Sequence, residues 1–146
     1  MQNSFATFML LAWVPITMVF FSKMKPHQAV LAAVIGGWLL LPMGVAFDVT
    51  GLPEGYTKGV AIAFGLLLGG GLSRRKHGES FHWSIYDLPM VLFCLSTIPS
   101  SVTNGLGLYN GVAGVVETAI TWGIPYYAGR LHFDTPDKLK DLLMGI

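Results

Sequence analysis

Apolar residues fall into five long blocks, at 5–21, 29–47, 59–72, 86–102 and 106–128, separated by short polar turns. A helix that crosses a bilayer needs about 17–25 predominantly apolar residues. Four blocks meet that length, and the third reaches it when extended backward through Tyr56. The pattern therefore predicts an all-α, polytopic transmembrane helix bundle of about five spans. Prolines interrupt several blocks: Pro15 in the first, Pro42 in the second and Pro125 in the fifth. Membrane helices tolerate such breaks where neighbouring helices take up the freed backbone groups. Pro89 opens the fourth block, where a missing N–H does least harm. Beyond Arg130 the run DTPDKLKDLLMGI predicts the start of a further helix, with Asp134 or Thr135 as cap and Leu139, Leu142, Leu143 and Ile146 on one face. With no polar tail or cap after that helix, residues 1–146 are expected to form a single membrane domain, the amino-terminal part of a longer protein.

Glycine is placed at helix-packing spacings. Gly65 with Gly69, and Gly107 with Gly111, form small-xxx-small pairs that let backbones approach closely where lipid provides no hydrophobic drive. These four are the expected seams for helix–helix partners.

Composition agrees with the block pattern: 53% of residues are hydrophobic and 12% charged, and the mean hydropathy is +0.58. That is more apolar and less charged than a soluble domain. The net charge of +1 gives no reason to expect nucleic acid. The distribution of cations says more. Lys23, Lys25, Arg74, Arg75, Lys76, Arg130, Lys138 and Lys140 follow the odd-numbered blocks, and only Lys58 of the nine falls on the other side. By the positive-inside rule the amino terminus and the turns at 48–58 and 100–105 face outward, and the Ile146 end is cytoplasmic. The opening MQNSFATF lacks a basic region and the first block lacks a small-residue cleavage site, so that block is expected to stay in the mature chain. The single cysteine, Cys94, sits within an apolar block and reads as a small hydrophobe. His77 and His82 have no second carboxylate or cysteine at ligand spacing, so no metal site and no cofactor is expected.

The chemistry concentrates in residues 83–133. Glu117 is an acid within the fifth block, where a charged carboxylate costs a few kcal/mol unless paired or protonated. Arg130 lies thirteen residues later, about 20 Å along an uninterrupted helix, so the two do not pair within it. Tyr126 follows Pro125 at the exit of the block, and Asn104 lies in the polar turn before it. These four, Arg130, Glu117, Asn104 and Tyr126, are the candidates for a substrate path or a structural polar site. No residue is assigned a catalytic role. Arg130 has two readings, a snorkelling anchor or a substrate-path group.

The order DLPMVLFCLS (87–96), SSVTNGLGLYNG (100–111) and WGIPYYAGRLHF (122–133) resembles the amino-terminal half of bacterial O-antigen ligase and O-antigen polymerase-like membrane proteins. The resemblance implies a glycosyltransferase of the inner (cytoplasmic) membrane that moves a lipid-linked oligosaccharide from undecaprenyl diphosphate, without a metal, in lipopolysaccharide or exopolysaccharide synthesis. Such proteins usually have ten or more spans and an external loop that supplies an essential arginine and histidine. This sequence contains no such loop, so the 1–146 chain alone is expected to be inactive. Two other classes fit the residues: a small transporter or channel subunit with Glu117 and the Pro125 break lining a path, and a non-catalytic scaffold subunit of an envelope polysaccharide system.

Overall fold

The computed structural model describes residues 4–49, 52–53, 55–77, 83–133 and 135–144, with the backbone alone at 72–77 and 141–142. Among the described residues eight α-helices follow one another: α1 (Ser4–Lys23), α2 (Pro26–Leu40), α3 (Lys58–His77), α4 (Leu88–Leu95), α5 (Thr97–Thr103), α6 (Gly107–Thr118), α7 (Ile124–His132) and α8 (Pro136–Met144). A 3-10 turn, Ile85–Asp87, leads into α4, and a π-helical turn, Ala119–Gly123, joins α6 to α7. Among the described residues the only bridge between extended segments is the isolated one from Phe47 to Tyr56. The expected all-helical class is what the chain adopts.

The expectation of about five spans is met only in part. Ser4–Lys23 and Ile85–Thr103 are long and apolar enough to cross a bilayer, whereas Pro26–Leu40 and the apolar part of α3, Lys58–Gly71, are shorter. The second predicted span ends early for a local reason. Pro42 disfavours helical backbone at the residue before it, and Leu41 accordingly has φ −77° and ψ 141°. The chain then folds back over the bundle end, where Leu41 and Tyr56 join the core, and the Tyr56 N–H donates to the Phe47 carbonyl at 2.8 Å. Gly55 makes this return possible, at φ +75° and with the Phe47 carbonyl oxygen 2.6 Å from where a Cβ would stand. The fifth predicted span is broken at the π-turn. Pro125 has no N–H, and the Ile124 N–H reaches back five residues to the Ala119 carbonyl.

Helices α1, α2, α3 and α7 form the core, which contains Leu10, Trp13, Val30, Ala33, Ile62, Leu66 and Ala128. Close approach of α1 to α3 rests on the first glycine pair. A Cβ on Gly65 would stand 2.8 Å from Thr17 Oγ1, and one on Gly69 would overlap the Phe21 ring. That seam is used within the chain. The second pair behaves differently from the expectation. Gly111 packs against α5, with Ile98 Cα 3.0 Å from its would-be Cβ, but Gly107 faces open space and is instead needed for its φ of +84°. Gly107 is thus a turn residue and not half of a seam.

Helices α4, α5 and α6 form an arm that packs chiefly on itself, and the π-turn and α7 tie it to the core. Thr97 Oγ1 donates to the Gly111 carbonyl at 3.2 Å and Ser101 Oγ to the Gly107 carbonyl at 3.0 Å. The rest of the arm is apolar and exposed: α4 buries no residue, and Leu92, Phe93, Val102, Leu108 and Val112 face outward. So continuous an apolar exterior is a surface that a soluble monomer rarely presents.

Candidate functional site

The arm meets the core at Asp87. Ser84 and Asp87 bracket the 3-10 turn as a capping box, in which the Ser84 N–H donates to Asp87 Oδ2 at 2.8 Å. This fixes the carboxylate at the base of α4, pointing at α7. There Tyr126 and Arg130, four residues apart and so on one face of the helix, reach it together. Tyr126 Oη donates to Asp87 Oδ1 at 2.7 Å, Arg130 Nε to Oδ1 at 2.9 Å and Arg130 Nη2 to Oδ2 at 3.3 Å. The Tyr126 hydroxyl lies farther, 3.3 Å, from the Tyr86 carbonyl. Asp87 is 2% exposed, while the Arg130 side chain keeps 38% of its surface open. The hydrogen bond that Arg130 donates to Asp87 holds the Arg130 pKa above the ordinary arginine value.

Four donors converge on two carboxylate oxygens, which leaves Asp87 little capacity for a further partner. The arrangement is suited to clamping two helices and orienting the guanidinium, not to taking a proton from a substrate.

Of the four residues singled out from the sequence, the fold brings together Tyr126 and Arg130. Asn104 is exposed at the α5–α6 turn, where its Nδ2 donates to the Ser100 carbonyl at 2.7 Å. Glu117 is half-buried in the last turn of α6, just before the π-turn. Asp87 is the residue that sequence reasoning missed. It is 39 and 43 positions from its partners, and its local signals are the Ser84-x-x-Asp87 capping-box spacing and its place directly before a proline-opened helix.

A second cluster lies where α2, α3 and the π-turn meet. Lys58 Nζ stands 4.4 Å over the Trp38 ring, and Trp38 stacks on Trp122 at 5.9 Å. The ammonium is shielded from solvent and has no hydrogen-bond acceptor among the described residues. A Cβ on Gly59 would stand 3.1 Å from Thr121 on the π-turn, so α3 starts against the broken helix. Among the described residues no three His, Cys, Asp or Glu side chains gather as a metal site.

Two apolar grooves flank Tyr126. One, of about 420 Å³, runs between α4 and the π-turn past Met90, Cys94, Ala119 and Gly123. The other, of about 410 Å³, runs between α2 and α7 and includes Arg130. A scan against protein families matches none, and searches of curated proteins and of solved structures return no match.

Proposed function

We propose that this chain is the membrane frame of a lipid-linked glycan transferase similar to the O-antigen ligases and polymerases, acting on undecaprenyl-diphosphate-linked sugars at the bacterial inner membrane. One observation carries the reading. Two segments of the likeness, 87–96 and 122–133, are far apart in sequence yet meet at a single buried polar node, Asp87 with Tyr126 and Arg130. Within this reading the node orients the helices, and Arg130 is a positioning residue.

The test is glycan transfer in membranes whose only copy of the protein carries Arg130→Lys. Lysine keeps the charge but loses the planar fork that spans both Asp87 oxygens. Transfer is expected to fall at least about tenfold at normal protein levels, as misplacement of a helix frame does to a reaction that depends on orientation. Unchanged transfer overturns the role given to the node.

The same proposal places five crossings, with α2 and the apolar part of α3 spanning as shorter, glycine-packed helices and the amino terminus outside. Eight of nine Lys and Arg residues on one side motivate the orientation. Cysteines introduced at positions 74–76 are expected to be shielded from an impermeant maleimide in intact cells, and one at the exposed Asn104 to react. The reverse pattern contradicts the orientation.

A further inference from the structure

We infer that the groove between α2 and α7 seats one chain of an anionic phospholipid whose phosphate takes the outer edge of the Arg130 guanidinium. The inference rests on the membrane reading above. The two helices run antiparallel here, since His27 lies against Phe133 at 6.1 Å between ring centroids while Trp38 stacks on Trp122. Val30, Val34 and Ile35 line one wall, and Gly129, Arg130 and Phe133 line the other. The groove is therefore apolar from its Ile35 end down to a cationic mouth. Lys25 caps α2 at that same end.

Gly129 is what keeps the groove open. It lies inside α7, where glycine weakens a helix relative to alanine. Neither packing nor backbone conformation requires it: no heavy atom comes within 4 Å of a Cβ built there, and its φ is not positive. Gly65 and Gly69, by contrast, are filled by Thr17 and Phe21. The space over Gly129 is a cradle that a side chain would fill.

At the mouth, Arg130 turns Nε and Nη2 toward Asp87. A guanidinium carries five N–H donors, so among the described residues those on Nη1 and the outer side of Nη2 remain, on a side chain 38% exposed. Arginine in this geometry suits a phosphate, which takes two parallel hydrogen bonds. The donors stand at the end of an apolar trough. Hydrocarbon carrying a phosphate satisfies both features, and a free anion satisfies one.

The experiment is native mass spectrometry of the full chain released from vesicles of equimolar phosphatidylglycerol and phosphatidylcholine, after flotation shows that the chain is inserted. One phosphatidylglycerol is expected to be retained over phosphatidylcholine by about tenfold, because both carry the phosphodiester and only phosphatidylcholine adds a quaternary ammonium, which the cations Arg130 and Lys25 repel. Gly129→Leu fills the groove from one wall and Ile35→Phe from the other. Either variant is expected to lose the retained lipid while melting no lower than the parent. Equal retention of the two lipids overturns the inference, as does undiminished phosphatidylglycerol on a well-folded filling variant. So does displacement by millimolar inorganic phosphate, which would assign the guanidinium to a soluble anion. A chain that does not float with the vesicles instead sinks the membrane reading beneath it.

Discussion

Gly37→Val is expected to lower the stability of the helical core by about 3 kcal/mol, the upper range for overpacking. A Cβ at Gly37 would stand 2.5 Å from Ile62 Cγ1, 2.7 Å from Ile62 Cδ1 and 3.1 Å from Trp13 Nε1. Neither neighbour has room to yield, because Ile62 is 1% and Trp13 2% exposed and both belong to the core. The Ile62 side chain is also stiff at χ1, so the clash becomes a separation of α2 from α3. Gly129→Ala is the matched control. It meets nothing within 4 Å and is expected to stabilise α7 by up to about 1 kcal/mol through helix propensity. Thermal unfolding in one detergent, read for both variants, checks the pair. Equal melting temperatures would show that the α2–α3 approach is looser than described.

Removing the Asp87 carboxylate is expected to free the arm. Asp87→Ala strips the acceptor from Tyr126, Arg130 and the Ser84 N–H at once, and breaking such a pair leaves its partner charge uncompensated. The consequence is local before it is global. Because α4 buries no residue of its own, the node is its main polar tie to α7. Amide exchange at 84–95 is expected to accelerate strongly, while α1 and α3, held by their glycine seam, stay protected. Asp87→Asn, which keeps the shape and one acceptor oxygen, should fall between parent and alanine. Exchange that rises uniformly along the chain would contradict this division into arm and core.

The helical class was legible because apolar blocks of spanning length leave few alternatives. The glycine seam at Gly65 and Gly69 was legible for a similar reason, since small residues four apart lie on one helix face. Three features were not. The early end of α2 depends on Pro42, which is visible, but a proline within an apolar block is as compatible with a tolerated kink as with a stop. Gly107 has the spacing of a seam, yet its positive φ is a property of the turn that precedes it and has no signature in a four-residue interval. The partner of Arg130 was out of reach altogether. Tyr126 and Arg130 could be placed on one helix face from their spacing, but which of the acids faces them depends on how the arm folds back. Glu117, the acid within the fifth block, lies in α6, on the other side of the π-turn from Arg130.

The central claim is that Asp87 and Arg130 act as one unit joining the two segments of the likeness. A double-mutant cycle tests it most directly. Asp87→Ala, Arg130→Ala and the double variant would be compared with the parent by thermal unfolding in the same detergent, with Tyr126→Phe as a second axis. Coupled residues predict that the double variant melts close to the worse single variant, because the second substitution removes a group already stripped of its partner. Losses that simply add would show the two side chains to be independent and would contradict the account.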